Sequence, residues 1–218
     1  MLSQKLIKYL EDNQTKFDIV EHKIVYTAYD AAQTMKVKLN EIAKSLLIKL
    51  NKPFVNGMKP YILIVVGADK NIDLNKLKKV VSTWAEKKNK ELRLQKQQPG
   101  KKPLVDIYNK IAKVAIPKEK DLKNKLKIKP GAMAAFGSMY KLPVFIDTSF
   151  LKTKQAVFSG DHVRSSVKMA VKDFHKLEQA MEGNFSIAKK FKKSKTVKPK
   201  KSVKTAGKKK VVKKKKGN

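Results

Sequence analysis

Apolar residues at Leu2, Leu6, Ile7 and Leu10 fall on one helix face and predict an amphipathic helix over residues 2–13. From Phe17 to Tyr26 apolar and polar residues roughly alternate, the period of a strand with one covered face. Thr27 followed by Asp30 is a helix-start pattern, and the helix it opens runs through Ala31–Met35. Asn40 suits the cap of a short helical turn leading into a strand over Ser45–Leu50. The proline-bearing stretch 51–60 reads as a connection. Tyr61–Val66 is uninterruptedly apolar and predicts a buried central strand. Asp73 then caps a helix whose apolar face is Leu74, Leu77, Val80 and Val81.

The pattern weakens from Trp84 to Lys127, which is polar, rich in lysine and broken by Gln97–Pro103. Leu104, Ile107, Tyr108 and Ile111 have helical spacing inside it, so the region reads as a partly helical surface insertion. Leu142–Asp147, Gln155–Gly160 and Ser166–Val171 are three short strand-like runs joined by polar turns and predict a meander. A helix over Lys172–Met181 follows, bearing Phe174, Leu177 and Met181. Little beyond Phe191 can be buried. These elements predict an α/β fold with a mixed sheet and helices packed around it. One domain spans 1–188, with the insertion at about 84–127, and a disordered tail spans 189–218.

Charge changes this picture. The chain carries a formal +34, and its last 30 residues contain 16 lysines and no acid. The first 188 residues are themselves strongly basic, so a polyanion is the expected partner. Only Arg93 and Arg164 are arginines, so phosphate would be met by point charges rather than bidentate forks. The absence of cysteine excludes disulfides, thiolate zinc sites and cysteine nucleophiles. The N-terminal segment has no signal-peptide core, and the run Tyr61–Gly67 is too short to span a bilayer. A cytosolic protein that engages no membrane is expected. His22, His162 and His175 are scattered, no serine stands in a nucleophile elbow, and no ligand cluster suggests a metal or cofactor.

Two stretches carry candidate chemistry. Lys44 opens the apolar run Ser45–Ile48, where a charge is unexpected unless it faces a ligand; a surface lysine at a strand start is the plain alternative. Lys129–Gly137 is a loop of Pro, Gly and Ala with almost no side chains, so a ligand can lie against its backbone N–H groups. Ordinary turn glycines and a core Phe136 are the plain alternatives there. Together the two stretches suggest a pocket for something small and anionic, or for a carbonyl that becomes anionic.

The order of these features resembles the YbaK/prolyl-tRNA-synthetase-associated family of aminoacyl-tRNA editing domains, over roughly Tyr26–Leu177. The pieces that carry the resemblance are Tyr26–Ala32, Ile42–Leu46, Ile64–Asp69 with Leu74–Leu77, Pro130–Gly131 with Phe136–Gly137, Leu142–Asp147 and Phe158–Gly160. It implies a mixed, barrel-like sheet flanked by helices, and hydrolysis in trans of the ester joining a wrong amino acid to tRNA. Alanine or cysteine on prolyl-tRNA is the suggested substrate. By the resemblance Lys44 lies in the substrate pocket, the loop Gly131, Ala135, Phe136 and Gly137 lines it, and Ser159 and Gly160 close its side. Tyr26 and Ser45 are candidates for orienting the substrate. Ala135 stands where the family has proline, which removes a fixed φ angle. The implied partner is mischarged tRNA, with the basic tail raising its local concentration or that of ribosomal RNA. A non-catalytic RNA-binding module with a degenerate pocket is the first alternative, and a nucleic-acid-compacting protein the second.

Overall fold

The computed structural model describes residues 1–25, 27–95, 106–118 and 133–189. Ser3 opens α1 (Gln4–Asp12), its hydroxyl accepting the Leu6 N–H, and places Leu6 and Leu10 fully inside the core. β1 (Phe17–Glu21) is shorter than the alternating stretch. Thr27 caps α2 (Ala28–Met35) by accepting the Asp30 N–H, and Lys36, left-handed at φ 53°, ends it. The helical turn Leu39–Glu41 is begun by Lys38, whose N–H donates to the Glu41 carboxylate; Asn40 lies inside the turn rather than capping it.

β2 (Ala43–Leu50) and β3 (Tyr61–Gly67) pair antiparallel, and β4 (Lys70–Ile72) follows. α3 (Leu74–Gln95) starts where the Asp73 carboxylate accepts the N–H groups of Asn75 and Lys76. The remaining elements are β5 (Val114–Ala115), β6 (Val144–Asp147), β7 (Gln155–His162), β8 (Ser165–Ala170), α4 (Val171–Glu178), β9 (Met181–Gly183) and β10 (Ser186–Ala188). No helix among the described residues is long and apolar enough to cross a membrane.

The apolar run of β3 is buried at every position, and its two-residue period divides it between two cores. Leu63 and Val65 point into a core closed by α1, β7, β8 and α4. Ile62 and Ile64 point into a second core with Leu77, Val81 and Ala85 of α3. The strands form a five-stranded mixed sheet ordered β5-β2-β3-β6-β9, a three-stranded sheet β1-β8-β7 and the pair β10-β4. The expected mixed α/β architecture is present, but the sheet does not close into a barrel. β2 approaches β7 through the single bridge Ile42–Val157, and beyond it side chains rather than backbones meet.

Four expectations change. The supposed insertion begins inside the domain, because α3 continues through Trp84 to Gln95. Trp84 donates its indole N–H to the Glu182 carbonyl, and Ala85 and Asn89 are buried. The described part of Leu104–Val114 is extended, not helical: Asn89 and Asn51 side chains bond its backbone, and Val114–Ala115 pair with the edge of β2. The three C-terminal strand-like runs are not a meander. β6 is buried at all four positions and lies parallel to β3, whereas β7 and β8 form a hairpin in the other sheet. Met181 lies in β9, since α4 stops at Gln179, left-handed at φ 46°. The proposed tail, apart from Lys189, lies outside the described residues.

Asp147 fastens the end of β6 to the C-terminal segment. Fully buried, it accepts the Phe185 N–H (2.9 Å), the Ser186 N–H (2.8 Å), the Ser149 N–H (3.0 Å) and both serine hydroxyls. Burial pushes its carboxyl pKa up, but the bonds from Ser149, Phe185 and Ser186 outweigh that and hold it below the ordinary aspartate value. The stability this supplies is present above the unfolded-state pKa of about 3.9 and is lost as pH falls through the depressed value. Asp147→Asn should lower unfolding stability in urea at pH 7 by about 3 kcal/mol. It should also flatten the acid limb of the stability profile.

Candidate functional site

Where β2 and β7 part, a cleft of about 310 Å³ opens between α2, the start of β2 and the β7–β8 hairpin. Ala31 and Met35 of α2, with Ile42 and Val157, give it apolar walls. A polar row crosses it. The Ser45 and Ser159 hydroxyls are 3.1 Å apart, and Ser159 lies directly opposite Ser166 in the β7–β8 ladder. The Ser166 hydroxyl is 2.9 Å from His22 Nε2, and His22 Nδ1 is 2.8 Å from the Lys23 carbonyl. Nothing local announces this row. Ser166 and His22 are 144 residues apart, and only the register of β1 against β8 makes them neighbours.

Lys44 contributes to the cleft wall, but its side chain leaves β2 on the face opposite to that of Ser45. Lys44 sits across from Val66 with Leu46 and Ile48 on the α3 side, while Ser45 sits across from Val65. Its ammonium donates to the Lys70 carbonyl at 2.7 Å. Lys70 and Asp69 line a second hollow of about 350 Å³ with Asn40, Lys152 and Thr153. Burial lowers the Lys44 pKa, the positive charge of Lys189 lowers it further, and Asp69 opposes both. A lysine so placed is a half-desolvated cation, destabilising below its lowered pKa and relieved as pH rises through it.

Of the nine residues selected from sequence, the structure brings Lys44, Ser45 and Ser159 together. Tyr26 and Gly131 lie outside the described residues. Ala135, Phe136, Gly137 and Gly160 do not line the cleft, because the core takes them up. Ala135 and Phe136 are fully buried, and Phe136 packs in an aromatic cluster with Tyr9, Phe158 and Phe174. A Cβ on Gly137 would collide with the Val144 side chain and lie 2.9 Å from the Leu142 carbonyl. One on Gly160 would collide with Leu2 and approach the Ser165 carbonyl at 2.6 Å. Ala135 still reaches the cleft through its backbone: its N–H donates to the Ser159 carbonyl at 2.9 Å, holding β7 from beneath. Among the described residues no group of three or more His, Asp or Glu side chains is placed to hold a metal ion.

Comparison with known proteins agrees with the fold. The sequence matches the family of the aminoacyl-tRNA editing domain over residues 22–100 and 102–177, and the chain belongs to that family. No curated protein matches it. A candidate trans-editing enzyme for prolyl tRNA synthetase superposes with a TM-score of 0.61 at 17% identity, covering 86% of this chain and 100% of the other. The hypothetical protein APE2540 gives 0.61 at 14% identity, covering 84% and 100%. A computationally designed scaffold for presenting linear epitopes gives 0.60 at 17%, covering 85% and 97%. At these identities the likeness establishes the fold.

Because Gly137 serves packing, Gly137→Ala should destabilise the protein by about 1–3 kcal/mol through overpacking. Thermal and urea unfolding of the variant beside wild type measure this, and an unchanged midpoint would show that the site has room for a side chain.

Proposed function

We propose that the chain is an aminoacyl-tRNA deacylase that hydrolyses the ester of mischarged tRNA in trans in the cytoplasm. The observation that carries the reading is the cleft: apolar walls around a row of hydroxyls, beside a half-buried lysine, in a chain of the editing-domain family. An aminoacyl ester is already activated, so such a site must mainly hold the acyl group, orient its carbonyl and stabilise the charge that develops on attack. Ser45 and Ser159 are placed to bond the aminoacyl group. Lys44, on its flexible stem, exchanges the Lys70 carbonyl for a phosphate oxygen of the tRNA end. The volume is at the small end for ligand sites, which suits a small acyl group such as alanine or cysteine wrongly carried on tRNA(Pro).

The Ala135 backbone supports β7 from the core side in this reading. The lysines beyond Lys189 supply salt-dependent, sequence-independent affinity for tRNA or ribosomal RNA.

A panel of tRNAs charged with alanine, cysteine, serine and proline, incubated with wild type and Lys44→Ala, tests the assignment. Wild type should release alanine or cysteine from mischarged tRNA(Pro) and spare the same tRNA correctly charged with proline. Lys44→Ala should keep its circular dichroism spectrum and lose about 10²-fold in kcat/KM. Wild-type rates in the variant would remove Lys44 from the site, and a wild type inactive on every substrate would leave an RNA-binding module. Truncation after Lys189 should weaken tRNA binding at low salt and flatten the dependence of log K on log salt, with amino-acid preference unchanged. Equal low-salt affinity would reject the role of the tail.

A further inference from the structure

The imidazole of His22 is held in one orientation by two contacts, and their chemistry fixes where its proton sits. The Lys23 carbonyl, 2.8 Å from Nδ1, can only accept, so Nδ1 carries the hydrogen. In the neutral ring the lone pair is then on Nε2, which faces the Ser166 hydroxyl at 2.9 Å and accepts from it. Ser166 is 7% exposed, opposite Ser159 on one side of the ladder and Val20 on the other, with the His22 side chain reaching it from just past the end of β1, and its remaining lone pairs are free to accept a proton at the cleft. A hydroxyl backed by an oriented imidazole is the arrangement by which a weak oxygen base is made effective. The lysine-centred reading of the cleft does not use it.

We propose that Ser166 and His22 form the proton relay of this site. The inference rests on the deacylase reading and adds the group that moves the proton. A water held at the Ser166 hydroxyl attacks the ester carbonyl. As the new C–O bond forms, the water proton passes to Ser166 Oγ, and the Ser166 proton passes to His22 Nε2. Collapse of the tetrahedral intermediate breaks the bond between the acyl carbon and the ribose oxygen. The Nε2 proton returns through Ser166 to that oxygen, leaving a free tRNA hydroxyl and the amino acid. Ser45 and Ser159 are hydrogen-bonded to each other beside this path, which leaves one hydroxyl of the pair with its hydrogen free to donate to the carbonyl oxygen as it gains charge. His22 acts through Ser166 and never needs to touch the ester.

The test uses the full-length chain and the mischarged tRNA that wild type hydrolyses fastest, in single-turnover and steady-state assays. His22→Ala, His22→Gln and Ser166→Ala should each lower kcat by about 10²-fold or more with KM changed little, as expected for loss of general acid–base help. Because the two residues act as one unit, the double variant should be no worse than either single variant. Added imidazole should restore part of the rate to His22→Ala but none to Ser166→Ala. Circular dichroism and unfolding midpoints establish that the variants are folded, and the partly exposed His22 supplies the test if Ser166→Ala is not. His22 variants at wild-type rate would overturn the relay while leaving the deacylase intact. A raised KM with unchanged kcat, or lost rate with no imidazole rescue, would assign His22 to structure instead and overturn it equally. Wild type inactive on all mischarged tRNAs would sink the deacylase reading itself, a result distinct from the others.

Discussion

Burial of β3 on both faces is the constraint from which the rest of the architecture follows. All seven residues of Tyr61–Gly67 are buried, antiparallel to β2 on one side and parallel to β6 on the other. A slip of one residue would exchange the contents of the two cores, so the register is strongly specified. That register in turn decides which residues of β2 look toward β7. Ser45 does, while Lys44 looks toward α3 and finds the Lys70 carbonyl. The parallel neighbour β6 ends at Asp147, whose buried carboxylate gathers the N–H groups of the C-terminal segment and closes the sheet with β9.

The cleft exists because two sheets meet without merging. After the bridge between Ile42 and Val157, β2 and β7 diverge, and paired side chains bridge the gap. Hydroxyls and an imidazole in a partly buried row must satisfy one another, since an unpartnered polar group there would be destabilising. The same pairing leaves them oriented before any ligand arrives, which is the condition for electrostatic stabilisation of a developing charge. The core beneath plays its part through packing. Phe136 packs under β7 against Phe158, Gly137 lets the Val144 side chain of β6 approach its backbone, and the Ala135 N–H donates to the Ser159 carbonyl.

Electrostatics act on two scales. Over the whole chain a charge of +34, almost all of it lysine, provides attraction to a polyanion with no sequence readout. On the other face of β2 from the cleft's polar row, the Lys44 ammonium is partly desolvated between the charges of Lys189 and Asp69.

The local elements were legible because their determinants are local. Thr27 and Asp73 cap helices within their own first turns, and the unbroken apolar run of β3 has no soluble solution other than burial. Lys44 and Ser45 stood out for the same reason, a polar pair where the apolar pattern begins. The extended segment through Tyr108 misled because its apolar spacing mimics a helix, while its conformation is set by Asn51 and Asn89, distant in sequence. The run Val144–Asp147 gave no sign of which sheet it would join. His22 and Ser166 are unremarkable in sequence, and the small residues of Ala135–Gly137 read equally as ligand loop or core. The sequence by itself determined the helices, the central strand and the cationic character, because caps, periodicity and charge are properties of neighbouring residues. Tertiary structure alone decided the polar row and the destination of each glycine, because strand register and cross-sheet pairing join residues that no local pattern connects.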